Sequence, residues 1–234
     1  MKTWVLEHGA LVSASLDRIA ALLRAKPDAA LALSAGEPCL CVYRALAELS
    51  KRGEVSLSRV RFFSVAEYDG LAETDVRRLS CRLADVLLSD TDAAPEHFFA
   101  PDQALPEQYD DLISSCGGLD LAVLSLGVNS RFGFNEPATR FDTRTHRQKL
   151  TNPTRRELAD EFGGEALVPE YGLTMGVKTL TEAGDILVLA EGEAKAKAVF
   201  HMLYGRDDSI YPAAFLQIPP EVTVIVDPAA AAQI

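Results

Sequence analysis

Positive charge is scarce in this sequence, and its scarcity argues against a nucleic-acid-binding protein. The 234 residues include 23 lysines and arginines against 34 aspartates and glutamates, so the net charge is −11. Nucleic-acid backbones are bound chiefly by clustered Lys and Arg side chains, and we therefore expect no nucleic-acid partner. An anionic small molecule stays open as a ligand, because a few local donors can bind phosphate inside an acidic protein.

Long apolar runs and metal-binding cysteine patterns are also missing. No run approaches the ~18–20 apolar residues that cross a bilayer. Residues 1–20 lack the continuous apolar stretch of a secretory leader. We therefore expect no membrane partner and a cytoplasmic location. The four cysteines include one close pair, Cys39 and Cys41, and two ligands rarely form a metal site. The expectation is reduced thiols, with no metal and no cofactor.

The apolar content that is present supports a packed α/β fold. Hydrophobic residues make up 48% of the chain, and the length suits one domain spanning residues 1–234. Short apolar runs alternate with longer amphipathic ones. This pattern predicts a doubly wound, mostly parallel sheet with helices on both faces, a Rossmann-like arrangement. The predicted strands cover residues 29–34, 60–65, 119–127, 185–192 and 222–227, and the predicted helices cover 10–25, 38–53, 75–89, 108–118 and 193–205.

Open α/β sheets bind ligands beyond the carboxyl ends of their strands. The candidate site therefore consists of the loops after residues 34, 65, 127 and 190. In the first loop, Ser34 and Gly36 precede a predicted helix, which is a generic arrangement for binding an anion. Glu37, in the first helical turn, would compete with that anion. A helix capped by its own carboxylate is an equally good interpretation.

The other three loops also carry polar side chains. Glu67 and Asp69 follow the second strand, where they could act as general acid or base or be ordinary exposed carboxylates. The loop of residues 127–137 mixes glycine, asparagine, arginine and glutamate between aromatic residues, as loops that wrap a small polar ligand do. Lys195 lies in the first turn of a predicted helix, against the helix dipole. That position favours a role in holding an anion, with a simple pair to Glu191 as the alternative.

Four segments, in one order over roughly residues 10–228, together resemble a known family. They read "GGLDLAVLSLG", "FNEPA", "VPEYGLTMGVKTLTEAGDILVLAEGEAK" and "AAFLQIPPEVTVIVD". The sequence resembles the glucosamine-6-phosphate deaminase and galactosamine-6-phosphate isomerase family, relatives of 6-phosphogluconolactonase. The resemblance implies a fold of the sugar-phosphate isomerase type, a small-molecule sugar phosphate as partner and no cofactor. It leaves a homo-oligomer open, since family members range from monomers to hexamers.

The resemblance also implies a reaction. These deaminases convert glucosamine 6-phosphate to fructose 6-phosphate and ammonia through ring opening and an aldose–ketose shift by way of an enol. The chemistry needs a base, an acid/base for ring opening and donors for the phosphate. Carried over by position, Lys195 matches the family's phosphate-contacting lysine, and together with Ser34 and Gly36 of the first loop it is the expected phosphate site. Both threonines usual in the first loop are absent here, and the segment of residues 150–170, the family's lid, departs from the pattern.

The catalytic positions depart further from the family. Ala66 replaces the proton-shuttling aspartate, while the adjacent Glu67 matches the family. Arg131 replaces the ring-opening histidine. Glu136, which would orient that histidine, is kept, and Asn129 stands at an Asp/Asn position as in the galactosamine-type members. The candidate catalytic residues are therefore Glu67, Asn129, Arg131 and Glu136.

These substitutions predict altered or impaired catalysis. Alanine takes no proton, and a guanidinium is no acid or base at neutral pH. Glu67 or Asp69 could take over as base, and His146 lies on a segment that could approach the site. Arg131 could instead pair with Glu136 or Glu37 as a structural plug, or bind an acidic substrate.

The sequence leaves three hypotheses for the function of this protein. The first is an amino-sugar-phosphate isomerase or deaminase with altered specificity. The second is a catalytically silent homologue that binds a sugar phosphate or regulates another process. The third is a lactonase-type hydrolase, which is weaker because that chemistry also uses a histidine in the loop where Arg131 stands and because "FNEPA" is the deaminase-side signature.

Overall fold

The computed structural model describes residues 1–101, 106–206 and 209–234. The strands in these residues are β1 (Lys2–Val5), β2 (Ala30–Leu33), β3 (Arg61–Ser64), β4 (Ala66–Tyr68), β5 (Phe98–Phe99), β6 (Leu121–Ser125), β7 (His146–Lys149), β8 (Tyr171–Thr174), β9 (Ile186–Ala190) and β10 (Val222–Val226). The α-helices are α1 (His8–Ala25), α2 (Glu37–Lys51), α3 (Leu79–Leu88), α4 (Pro106–Ser115), α5 (Asn152–Glu157), α6 (Ala159–Phe162), α7 (Val177–Thr181) and α8 (Ala196–Tyr204).

Seven strands form the central sheet in the order β1-β10-β9-β6-β2-β3-β5, and all its neighbouring strands are parallel. The chain places β2 and β3 on one side of β6, and β9 and β10 on the other. The predicted parallel α/β sheet is thereby confirmed. All five predicted strands are present with slightly shorter bounds.

Helices cover both faces of this sheet because successive side chains of a strand point to opposite sides. In β2, Leu31 and Leu33 pack in a core that includes α1, α2 and α3. Ala30 and Ala32 face the opposite core, which includes residues of α4, α7 and α8. Near-continuous apolar strands are typical of sheets buried on both sides.

A smaller antiparallel sheet, in the order β4-β8-β7, was not predicted. Its strands give weak sequence signals: β4 has three residues, and β7 reads His-Arg-Gln-Lys. Strand β1 was also missed, because its four residues are exposed and resemble a loop. The small sheet matters for the site because β4 directly follows β3 and fixes the loop after residue 65.

Helix bounds differ from the predictions for local reasons. The segment predicted as a helix from residue 75 begins its helix at Leu79, because Asp75 first accepts hydrogen bonds from the backbone N–H and guanidinium of Arg77. The helix predicted from residue 108 begins at Pro106, directly after residues 102–105, which lie outside the described residues. All four cysteines are free thiols. Within the described part of the chain, no helix has the length and apolar character needed to cross a bilayer.

Candidate active site

A cavity of about 460 Å³ lies at the carboxyl edge of the parallel sheet. The four loops chosen from the sequence meet there, as expected for an open α/β sheet. A fifth segment, α5 and α6, closes one side. The polar and charged side chains lining the cavity are Ser34, Glu37, Tyr68, Arg82, Ser125, Arg131, Glu157, Glu161, Glu191 and Lys195.

The loop after β2 presents a buried hydroxyl to the cavity. Ser34 is 6% exposed, and its Oγ has no hydrogen-bond partner among the described residues. Gly36 follows, and a Cβ there would overlap the Ser125 hydroxyl, so only glycine fits this close approach of the loop to β6. The two residues lie together as the sequence predicted.

Glu37 does not cap helix α2. Its carboxylate accepts a hydrogen bond from Arg44 at 2.6 Å and is largely exposed, and no side-chain cap bond forms at the Gly36 N-cap. The self-capped helix considered from the sequence is therefore wrong. The backbone N–H groups at the start of this helix have no carboxylate cap of their own.

The loop after β3 turns Ala66 and Tyr68 toward the cavity and Glu67 away from it. This follows from the two-residue period of strand β4, which places alternate side chains on opposite faces. The Glu67 carboxylate is buried and accepts hydrogen bonds from the backbone N–H groups of Leu79 at 3.0 Å and Ser80 at 3.1 Å. The Ser80 hydroxyl and Arg78 also donate to it. Glu67 thus holds the start of helix α3.

The two groups considered as substitutes for the missing base also lie outside the cavity lining. Asp69 pairs with Arg147 at 2.6 Å, and His146 lies on β7, bonded to the Arg144 carbonyl and Gln148. Neither contributes to the described wall around Ala66.

Arg131 lies on the cavity wall at the position where the sequence resemblance expects a histidine. Its Nη1 donates to the Gly133 carbonyl at 2.7 Å and its Nε to the Thr154 hydroxyl at 3.1 Å. Its Nη2 donates to the Glu157 carboxylate at 2.9 Å. The preceding Ser130 has φ of 64°, a conformation that favours glycine, the residue usual at this position of the family.

The partner of Arg131 differs from both partners considered from the sequence. Glu136 is buried behind the loop, where it accepts hydrogen bonds from Asn129 Nδ2 at 2.7 Å and the Thr151 hydroxyl at 3.0 Å. Glu37 pairs with Arg44 of the same helix. Asn129 and Glu136 therefore brace the loop against residues 151–154, and neither is among the residues lining the described cavity.

Lys195 reaches the same carboxylate as Arg131. Its Nζ donates to Glu157 Oε1, while Arg131 donates to Oε2. Burial alone would raise the pKa of the Glu157 carboxyl, but the two positive charges and the hydrogen bonds from Lys195 and the Val128 N–H bring that pKa below its ordinary value. Glu157 is therefore ionised at neutral pH, and Arg131, Lys195 and Glu157 form a three-membered charge cluster.

A second set of polar side chains at the cavity, Tyr68, Arg82 and Glu161, was not predicted from the sequence. Glu161 accepts hydrogen bonds from Arg82 at 3.0 Å and the Tyr68 hydroxyl at 3.4 Å. Burial, followed by the charge of Glu161, raises the pKa of Tyr68, so its phenol stays protonated at neutral pH. The only sequence signal for this group was the run of charged residues in the poorly matching segment of residues 150–170.

The cavity brings together Ser34, Gly36, Arg131 and Lys195 among the predicted site residues, and leaves Glu67, Asn129 and Glu136 behind it. Within residues 1–101, 106–206 and 209–234, no group of three or more His, Cys, Asp and Glu side chains is placed to hold a metal ion. The site therefore offers hydrogen-bond donors, charges and one phenol.

The fold and the site define this chain as an α/β protein of the sugar-phosphate isomerase type, with its cavity at the carboxyl edge of a parallel sheet. No family model matches the chain. A glucosamine-6-phosphate deaminase of Beutenbergia cavernae is 37% identical over 225 residues, covering 93% of this chain and 86% of that protein. Glucosamine-6-phosphate deaminase 2 of Bacillus subtilis is 35% identical over 236 residues, covering 97% of this chain and 95% of that protein.

Solved structures agree with these relatives. A monomeric glucosamine-6-phosphate deaminase of the NagB superfamily matches with a TM-score of 0.96 and 32% identity, covering 100% of both chains. A 6-phosphogluconolactonase from Leishmania guyanensis shares the fold, with a TM-score of 0.78 and 18% identity over 100% of this chain and 98% of that one. The chain belongs to the glucosamine-6-phosphate deaminase family, and the resemblance stated from the sequence is confirmed.

Proposed function

We propose that this protein is an amino-sugar-phosphate isomerase or deaminase-like protein of carbohydrate metabolism, acting on glucosamine or galactosamine 6-phosphate with impaired catalysis. One observation carries the proposal. The cavity combines the residues predicted to bind the phosphate, Ser34, Gly36 and Lys195, with a wall where Ala66 and Arg131 stand at the positions that the resemblance assigns to proton-transfer groups.

The binding part of the proposal rests on the first and last loops. The unpaired Ser34 hydroxyl, the uncapped start of helix α2 and the Lys195 ammonium offer donors of the kind that phosphate oxygens accept. A sugar held there by its phosphate would extend toward Ala66, Tyr68 and Arg131. This placement gives a hexose 6-phosphate a defined orientation in the cavity.

The impaired catalysis follows from the side chains at the other end. Deamination requires a proton to move between adjacent carbons, and each positioned acid or base typically contributes about 10²–10⁴ in rate. Ala66 has no proton to exchange, and Arg131 holds a fixed charge already paired with Glu157. Tyr68 can donate a hydrogen bond, but as a protonated phenol it is no base.

Turnover assays combined with binding test the proposal. Glucosamine, galactosamine and mannosamine 6-phosphates are each incubated with the protein, and ammonia and ketose 6-phosphate are measured over hours. We expect slow turnover of at least one of them and a thermal shift with the same compound. Absence of both for all three compounds would sink the proposal.

A catalytically silent sugar-phosphate-binding protein is the second candidate, and the Arg131–Glu157–Lys195 cluster favours it. In this cluster Arg131 is held by ion pairing at the position where the resemblance expects an acid/base residue. Binding of a hexosamine 6-phosphate with no turnover decides for this candidate. Incubation with 6-phosphogluconolactone tests the remaining hydrolase alternative, for which we expect no hydrolysis.

A further inference from the structure

We propose that Glu157 acts as a built-in competitor for the anionic group of the ligand, occupying Arg131 and Lys195 when the cavity is free and setting the affinity for phosphate. The inference rests on the proposed function for the identity of the sugar ligand. The competition itself concerns only an anion and these three side chains.

The donors around Glu157 are those that an anionic ligand would use. Oε1 accepts from Lys195 Nζ, and Oε2 accepts from Arg131 Nη2 at 2.9 Å and from the Val128 N–H at 3.4 Å. Two cationic side chains and a backbone amide are the donors that bind a phosphate or carboxylate group of a ligand. Glu157 therefore takes the position of an anionic ligand relative to these residues.

The cluster of Arg131, Glu157 and Lys195 is part of the cavity wall. It lies on the same side as the loop after β9. The Arg131 and Glu157 side chains are 11% and 18% exposed, so water screens their attraction weakly. A phosphate approaching Lys195 must share or displace this carboxylate, because two anions at one pair of cations repel each other.

Glu157 lies on a short helix from which its side chain can turn away from the two cations. It is the last residue of α5, a helix of six residues, and its side chain has three rotatable bonds. Because α5 is not part of the central sheet, the carboxylate can rotate away from Arg131 and Lys195 without a change in the strands.

A matched pair of variants tests the competition. Glu157→Gln removes the competing charge. Glu161→Gln removes one negative charge from the same cavity but leaves Arg131 and Lys195 paired, since Glu161 contacts Arg82 and Tyr68. Isothermal titration with inorganic phosphate, glucosamine 6-phosphate and unphosphorylated glucosamine gives the Kd of each for the intact protein and both variants.

We expect Glu157→Gln to lower the Kd of inorganic phosphate by about tenfold or more, because a site occupied by an internal group loses apparent affinity in proportion to its free fraction. Glu161→Gln should change this Kd by less than about threefold, since its effect is a screened, longer-range one. The Kd of unphosphorylated glucosamine should stay unchanged in Glu157→Gln. An unchanged or higher Kd for phosphate in Glu157→Gln, or equal gains in both variants, would overturn the inference.

A third variant and the binding of glucosamine 6-phosphate decide the remaining outcomes. If Glu157→Gln does not fold, Glu157→Asp shortens the side chain by one methylene and should give a smaller decrease in the phosphate Kd; no decrease overturns the inference. If glucosamine 6-phosphate binds the intact protein and Glu157→Gln equally well, the inference fails and the proposed function stands. If Glu157→Gln gains phosphate affinity but no variant binds glucosamine 6-phosphate more tightly than phosphate, the proposed function fails and the inference stands.

Discussion

At the scale of single residues, the guanidinium of Arg131 lies on the cavity wall with its nitrogens bonded to protein groups. Its three nitrogens contact Gly133, Thr154 and Glu157, and its guanidinium lies 5.6 Å from the centre of the Phe134 ring. These contacts hold the guanidinium in place on the cavity wall, with Glu157 as its ionic partner. Ala66 also lines the cavity, with no polar atom in its side chain.

Restoring both proton-transfer groups tests whether only the chemistry has been lost. We expect the double variant Ala66→Asp with Arg131→His to deaminate glucosamine 6-phosphate at a rate about 10² or more above the unmodified protein, because two positioned acid/base groups are regained. Ala66→Asn with Arg131→His is the matched control, since asparagine has a similar shape and no basic carboxylate. Equal rates for the two double variants would show that the cavity no longer positions the substrate.

The Ser34 hydroxyl gives a second prediction at this scale. Because its Oγ is buried and unpaired, Ser34→Ala should leave the free energy of unfolding unchanged or raise it by up to ~1 kcal/mol, while weakening the binding of phosphate. Ser64→Ala is the control: the Ser64 hydroxyl donates to the Ala66 carbonyl at 2.7 Å, so its loss should cost about 1 kcal/mol. Urea unfolding measures the stability of both variants. A loss of stability in Ser34→Ala would contradict an unpaired Ser34 hydroxyl, and with it the ligand-binding role.

At the scale of the elements, Glu67 connects strand β4 to helix α3. Its carboxylate accepts hydrogen bonds from three backbone N–H groups, a hydroxyl and a guanidinium while 2% exposed. Carboxylates placed at a helix N-terminus satisfy donors that the helix leaves unpaired. The catalytic role given to Glu67 from the sequence stays a prediction, and this geometry supports a structural role instead.

Replacing Glu67 by alanine distinguishes the two roles. We expect Glu67→Ala to lower the free energy of unfolding by about 3 kcal/mol, because breaking a buried pair leaves Arg78 and the helix donors without an acceptor. Glu48→Ala, which removes an exposed pair with Lys51, should change it by less than about 1 kcal/mol. A stable Glu67→Ala protein whose turnover is lost would instead favour catalysis by Glu67.

At the scale of the whole molecule, acid should destabilise the fold partly through Glu157 and Asp92. Both carboxyls have a pKa below the ordinary value, since the charges around Glu157 and the hydrogen bonds to Asp92 from Ser56, Leu57 and Ser50 outweigh the effect of burial. A lowered pKa contributes stability above the unfolded-state pKa, and this contribution is lost as the pH falls through the folded-state value. We therefore expect the free energy of unfolding to fall as the pH drops below about 4.5, the ordinary glutamate value.

Urea midpoints between pH 7 and pH 3 check this expectation. Glu157→Gln and Asp92→Asn should each show a shallower fall in stability over the acidic range than the unmodified protein, because the titrating group is gone. Glu182→Gln, which removes a half-exposed carboxylate paired with Arg144, serves as the control and should leave the slope unchanged. Identical slopes in all four proteins would contradict a contribution from the two carboxyls.

Most of the parallel sheet could be predicted because its strands are short apolar runs, such as Leu121–Ser125 and Ile186–Ala190, that need cover on both faces. The position of the cavity followed, since the loops after such strands share one edge. The small sheet could not be predicted, because β4 and β7 are stabilised by pairing with β8 rather than by their own composition. The orientation of Glu67 depended on that pairing.

By itself the sequence determined the family, the alternation of strands and helices along the chain and the substitutions at Ala66 and Arg131, because these are properties of residues and their local patterns. Only the tertiary structure decided that Arg131 and Lys195 share Glu157, a residue 26 and 38 positions away. Contacts at such separations depend on how the segment of α5 and α6 folds over the sheet edge, and no periodicity in the sequence records that placement.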